Sequence, residues 1–277
     1  LGGGEFDDAA AGDYAPGGVL EELVPAEPGP TVLKLASASG LGQLLVGSAA
    51  MIGEGANAET VRVDSVSIGD MEVTVGRGCG DTVPSEWPPG TRLWGFDVEA
   101  AADPQPYVDG ETIDVKVVNR TASGQVELSA VPTHSITIAS RQARPYPPGW
   151  PLVNGEVDPP ESVIGDVTLT WAHRDRVLQA DTQVDTSEPS VGPEPGTTYT
   201  VRWILNGVLA HTSAGIIGNT VTWSPNGGGL LRIELESERD GLASWQMHVR
   251  EVMLGAPLLT EDDQLITTED DQPILLE

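Results

Sequence analysis

The chain has 277 residues, with 14 Lys and Arg against 42 Asp and Glu, a formal net charge of −28. So few cations set aside phosphate-backbone binding, which depends on Lys and Arg displacing counterions, and the same acidic surplus repels anionic lipid headgroups. Cys79 is the only cysteine, so there is no internal disulfide and no Cys cluster for zinc. No apolar run approaches the ~20 residues of a membrane span.

Residues 1–30 read as an extended Gly/Pro-rich leader. Ala15-Pro16-Gly17-Gly18 and Pro25-Ala26-Glu27-Pro28-Gly29-Pro30 interrupt any regular backbone, and only Val19–Val24 has the makings of a short turn or strand. From Thr31 the signals are β. Thr31–Leu35, Gln43–Val46 and Thr60–Val66 are short apolar or alternating runs. Met71–Val75 places Met71, Val73 and Val75 on one face, and Gly69-Asp70 reads as a tight hairpin turn before it. Thr91–Phe96, Thr112–Asn119 and Ser135–Ala139 are further strands. The span 31–145 is expected to be one β-rich domain with an outlying pair of strands.

The stretch Arg144–Pro151 holds four prolines and a glycine around Tyr146 and Trp150. Proline forces extended backbone, and two large rings need a surface to pack on, so a pinned linker and a domain boundary are expected. Residues 146–253 then carry strands at sandwich spacing. Val167, Leu169 and Trp171 share one face; so do Tyr199, Val201 and Trp203, then Leu231, Ile233 and Leu235, and finally Trp245, Met247 and Val249. Asn206-Gly207 is a type I′ hairpin signal. About seven short strands in ~100 residues fit an immunoglobulin-like β-sandwich. In 254–277 an acidic motif recurs: Thr260–Gln264 returns as Thr268–Gln272. A piece this short recovers too little apolar area to fold alone, so it reads as an acidic arm. The fold class expected is all-β, with arms at both ends.

Candidate chemistry is sparse. His173-Arg174-Asp175-Arg176 could hold an oriented general base, but strand neighbours point to opposite faces and a salt-bridged corner is the commoner outcome. His134, His173, His211 and His248 fall on separate elements, without the close spacing of a zinc motif. Cys79 lies in Gly76-Arg77-Gly78-Cys79-Gly80 beside Asp81; no strand-then-helix context makes this a phosphate loop, so loop packing is expected. The turns Glu261–Asp263 and Glu269–Asp271 could take Ca²⁺, yet lack the spaced carboxylates of a calcium loop and also serve to guard strand edges. No catalytic, cofactor or metal residue is assigned.

Two resemblances add to this. Asp166–Val252 resembles a fibronectin type III-like sandwich in the order of its Trp171, Tyr199–Trp203 and Leu231–Ser237 strands. Four segments, Val73–Pro84, Arg141–Gly149, Val167–Arg176 and Arg239–His248, are similar to segments of bacteriophage tail structural proteins, across about 60–253. That resemblance implies a non-enzymatic virion component of a tail tip, hub or fibre attachment, acting in assembly and host attachment. The partners it implies are other tail proteins, further copies in a trimer or ring, and a host surface receptor; nucleic acid and membrane insertion are not expected. The alternatives are a bacterial surface module binding glycan or protein, with Trp150, Trp203 or Trp223 as stacking residues, and a tail depolymerase with a carboxylate pair.

Overall fold

The computed structural model of the chain describes residues 6, 14–96, 103, 105–159 and 162–255. The acidic repeat at 260–272 and most of the 1–13 leader lie outside the described residues. What is described is all-β, joined by single-turn 3-10 segments. It divides into two compact units, one drawn from 103–144 with Phe6 and Tyr14, the other from 15–96 and 145–255.

The larger unit begins with a closed antiparallel barrel. Its strands are β1 (Gly17–Leu20), β2 (Thr31–Ser39), β3 (Ala49–Ile52), β4 (Glu59–Ser67), β5 (Glu72–Gly76) and β6 (Arg92–Gly95), in the order β1-β2-β5-β4-β3-β6. Alternation sends Leu33 and Leu35, Val61 and Val63, Val73 and Val75 into one aliphatic core with Leu20, Ile52 and Leu93. Burying each such side chain is worth about 1.5–3 kcal/mol. A bulge at Val63/Ser65 shifts the phase of β4, so that Val66 also packs on this core.

Two expectations need correction here. The leader does not run to residue 30, because β1 pairs with both β2 and β6 and closes the barrel. The Gly17-Gly18 pair that reads as a breaker is what admits the strand. A Cβ on Gly17 would lie 2.1 Å from the Leu93 carbonyl oxygen, and one on Gly18 would lie 2.7 Å from a Leu35 methyl. Likewise Gln43–Val46 is no strand. Leu41–Gln43 is a 3-10 turn entered through left-handed Gly40, and Leu41 and Leu44 reach the core at a spacing of three. The β4–β5 hairpin turns through four residues, 68–71, with Met71 left-handed at φ 54°, so Met71 leaves the Val73/Val75 face.

The smaller unit holds β7 (Thr112–Val115), β8 (Arg120–Thr121), β9 (Gly124–Gln125) and β10 (His134–Thr137), arranged as two separate ribbons, β7–β10 and β8–β9. None of its described residues is buried. The domain expected over 31–145, with its outlying pair of strands, is therefore a barrel followed by a separate ribbon unit that contains such a pair, β7–β10.

The sandwich comprises β11 (Leu152–Val153), β12 (Val167–Thr170), β13 (Thr198–Leu205), β14 (Val208–Ile216), β15 (Thr220–Trp223), β16 (Gly229–Arg239), β17 (Leu242–Ala243) and β18 (His248–Leu254). A sheet β11-β12-β15 faces a sheet in which β13 lies between β14 and β16, and β16 pairs onward with β18. This is the two-sheet arrangement of immunoglobulin-like and fibronectin type III-like domains. Asn206 (φ 50°) and Gly207 (φ 78°) make the hairpin turn with both central residues left-handed, as type I′ requires. β14 runs nine residues, to Ile216. It is an edge without Asp, Glu, Lys or Arg, and bulges opposite Tyr199/Val201 and Trp203/Ile204 keep it from offering a flat ladder.

Three of the four expected core faces are buried. The exception is the last, since Trp245 and Met247 precede the strand and Val249 points outward. The inward phase of β18 is His248, Val252 and Leu254. A histidine opens that phase because the linker lies against it.

Candidate functional site: the joint between barrel and sandwich

Chemically versatile side chains concentrate where the barrel meets the sandwich. Glu59 opens β4 in phase with Val61 and Val63, which points its carboxylate into the barrel end. Arg77 follows β5, and both side chains have no solvent exposure. Arg77 donates from Nε to Glu59 Oε1 at 2.7 Å and from Nη2 to Oε2 at 2.8 Å. Its remaining donors reach the carbonyls of Pro25 and Ser85 at 2.9 and 2.7 Å. Glu59 also accepts the N–H groups of Gly78, Ser85 and the Trp87 indole. A charge pair taken out of water holds only when its other lone pairs and protons are satisfied. Here three separate segments, at Pro25, Gly78 and Ser85–Trp87, supply the partners.

The backbone of the same Arg77 faces the sandwich. Its N–H donates to Asp185 Oδ2 at 2.6 Å, and its carbonyl accepts the Thr186 N–H at 2.9 Å. Asp185 is itself held by the Ser187 N–H and hydroxyl. Beside it Arg62 reaches the Gln183 carbonyl and Glu188, at 2.9 and 2.7 Å. Arg62 is held more firmly protonated than a free guanidinium, chiefly by its bond to Asp64. Across the joint Gln246 accepts the Val83 N–H and donates to the carbonyls of Ala56 and Ala58.

The gripping loop, residues 185–189, is shaped from inside by Arg174. Its guanidinium donates to the carbonyls of His173, Asp185, Thr186, Glu188 and Pro189. Burial pulls its pKa below the usual arginine value. The expected linker is pinned to the same place. Gly149 N–H bonds Ala172 O, Trp150 N–H bonds Thr186 O, and Ser237 Oγ donates to Tyr146 O. His248 donates through Nε2 to Pro148 O at 2.8 Å, with Trp150 edge-on at 5.6 Å and the Arg250 guanidinium over the Trp150 ring. Burial drives the His248 pKa down to about 4, so the ring is neutral. Gly149 is needed for this close approach, since a Cβ there would lie 2.8 Å from Ala172 Cβ.

The groups singled out in the sequence fall as follows. Arg176 forms a two-pronged pair with Glu194, which also takes Arg239, so that end of His173–Arg176 is an ion-paired corner. His173 and Asp175 do not meet. His173 Nδ1 lies 2.7 Å from the Tyr199 hydroxyl, while Asp175 accepts the Val177 and Leu178 N–H groups. Cys79 is buried in its loop, its thiol pKa pushed up to about 12 by burial and then by the Asp185 charge. His134 and His211 are exposed on β10 and β14, far in sequence from buried His248. Among the described residues no cluster of three or more His, Cys, Asp or Glu is placed to hold a metal ion. The turns at 261–263 and 269–271 lie outside the described residues. Trp203 is wholly buried, Trp150 nearly so, and Trp223 stacks on Trp203 at 5.4 Å. Trp203 and Trp150 therefore offer no open ring face for a sugar, while Trp223 is half-buried with one face against Trp203.

Glu59, Arg77, Asp185 and Gln246 went unmarked in the sequence. One signal was available: Glu59 occupies a core-facing phase of an apolar alternation, where an unpaired carboxylate could not persist.

No family model matches the chain, and no curated protein does. Among solved structures it is similar to the crystal structure of chicken CNTN1 FN1–FN3 domains, at 10% identity over 90% of this chain and 70% of that one, with a TM-score of 0.22. The sandwich assignment rests on its own strand order.

Proposed function

We propose that the chain is a structural component of a bacteriophage tail, serving as a rigid β-module connector at the tip, hub or fibre attachment. The observation that supports it is where the four tail-like segments fall. Val73–Pro84 supplies Arg77, Cys79 and Val83; Arg141–Gly149 supplies the pinned prolines of the linker; Val167–Arg176 supplies Ala172 and Arg174; Arg239–His248 supplies Gln246 and His248. Each contributes contacts to the joint described above. On this reading, the tail-like segments serve to fix two β-modules to each other. The physical role is positional. A joint closed by directed hydrogen bonds, with the barrel's buried ion pair holding Arg77 in place behind it, keeps one spacing and angle, because off-geometry states leave polar groups unpaired. The neighbours proposed are other tail proteins, further copies of the chain and a host surface receptor.

The test is immunogold labelling of phage particles from the source bacterium, using antibody raised against residues 152–253. Label at the tail end is expected. Disrupted particles that expose the epitope and still bind no gold would overturn the reading.

A further inference from the structure

Asparagine followed by glycine is where a chain most readily attacks its own side chain, because glycine has no Cβ to shield its amide nitrogen. The chain has three such pairs, Asn154-Gly155, Asn206-Gly207 and Asn226-Gly227, all in the sandwich. They are alike in sequence and unlike in setting.

Asn154 and Asn206 are locked in the same way. Each has left-handed backbone, at φ 52° and 50°. Each also exchanges bonds with one residue of a neighbouring segment. The Asn154 N–H donates to the Thr168 carbonyl at 2.8 Å, and Asn154 Oδ1 accepts the Thr168 N–H at 2.7 Å. The Asn206 N–H donates to the Leu230 carbonyl at 2.8 Å, and Asn206 Oδ1 accepts the Leu230 N–H at 3.1 Å. The side-chain nitrogens are used as well. Asn154 Nδ2 donates to the Asp166 carbonyl and Asn206 Nδ2 to the Gly228 carbonyl. Ring closure requires the side-chain carbon to meet the next backbone nitrogen. In these two residues that motion breaks the side-chain bonds and, at Asn206, the type I′ turn between β13 and β14.

Asn226 has none of these restraints. It is exposed in the loop between β15 and β16, its φ is not left-handed, and its side chain bonds no described residue. A Cβ on Gly227 would meet nothing within 4 Å, so the peptide after Asn226 has open space in which to turn.

We propose that Asn226 is a self-modification site of the folded chain, converted with water to aspartate and isoaspartate, while the fold protects Asn154 and Asn206. The Gly227 nitrogen gives up its proton and bonds to Asn226 Cγ. The Cγ–Nδ2 bond breaks and its nitrogen leaves as ammonia, closing a five-membered succinimide. One water then opens the ring. Attack at Cγ leaves aspartate; attack at the backbone carbonyl leaves isoaspartate, with the main chain one methylene longer. Either product puts a new carboxylate in the loop, taking the net charge one unit beyond −28. Asn206 holds Gly228 and Leu230 in place, which confines the lengthening to the loop.

The test follows the full chain in mildly alkaline buffer by peptide mass mapping, reading the gain of about 1 Da when an amide becomes an acid. Asn206 and Asn226 share one tryptic peptide, 203–232, so fragment ions assign the site. The same measurement in concentrated urea gives each pair its rate without the fold. Asn226 should convert at close to its rate in urea, while Asn154 and Asn206 should be slowed about tenfold or more by the bonds they must break. Asn226→Ser should remove the fast conversion and leave the two slow ones. Asn226 slowed by the fold as strongly as the other two, either of those converting as fast as Asn226, or a fast phase surviving Asn226→Ser would overturn the proposal.

Discussion

Where the sandwich fills its core with the rings of Trp171, Tyr199 and Trp203, the barrel is aliphatic and places a charge pair, Glu59 with Arg77, at its end. The two solutions differ in tolerance. Rings gain from area and edge-on contacts, such as Trp171 against Tyr199 at 5.2 Å, and a neighbour can shift slightly at little loss. The buried pair depends on Pro25, Gly78, Ser85 and Trp87 all being in place, so it stabilises one arrangement and penalises every other. A third setting completes the contrast. On the outer face of the sandwich Arg202 and Arg232 form a ladder with Glu234, Glu236 and Glu251, the same ion types but partly solvated.

That contrast can be broken in graded ways. The largest effect is expected from Glu59→Ala, which strands a buried guanidinium and should cost about 3–5 kcal/mol in urea unfolding. Glu59→Leu combined with Arg77→Met should recover more than half of that, since removing both charges removes the desolvation cost. Equal losses for single and double variants would mean that shape, and not charge, closes the barrel end.

Acid should act next, through His248. Its pKa when folded is about 4, below the ordinary 6.5, so on acidification the unfolded chain takes up the proton first. Its contribution is complete above pH 6.5 and is lost as the pH falls toward 4, by roughly 3 kcal/mol in all. His248→Gln keeps a donor for Pro148 but cannot titrate, so its stability should fall less steeply across that window. Parallel curves would rule His248 out as the source.

A smaller change is expected in the aromatic core. Trp203→Phe should cost about 2 kcal/mol, through lost area and the bond from Nε1 to Ser213 Oγ. A loss as large as that of Glu59→Ala would erase the difference in tolerance drawn above. Least affected should be Arg202→Ala on the outer ladder, under about 1 kcal/mol and shrinking with added salt.

Much of the sandwich was legible because its strands are half-buried and so alternate visibly: Val167/Leu169, Tyr199/Val201/Trp203 and Leu231/Ile233/Leu235 all face inward as their pattern implies. The turn at Asn206-Gly207 was legible because few residues accept two successive left-handed positions. Misreadings came where a tertiary neighbour set the requirement. Gly17-Gly18 resembles a break, yet is a strand where any side chain would collide with β6 or β2. Trp245, Met247 and Val249 alternate, but the inward phase of β18 belongs to His248, because Pro148 and Trp150 lie there. The joint was hardest to foresee, since Glu59 and Arg77 are 18 residues apart and Arg77 and Asp185 are 108 apart.

By itself the sequence determined the all-β class, the short alternating strands, the hairpin turn and the pinned linker, because each depends on local conformational preference and on a period of two. Only the tertiary structure decided that β1 closes a barrel, that 103–144 belongs to a separate unit with no buried side chain among its described residues, and which charges are buried together. Those outcomes depend on which distant segments supply a side chain's missing neighbours, and pairwise proximity leaves no periodic mark along a single chain.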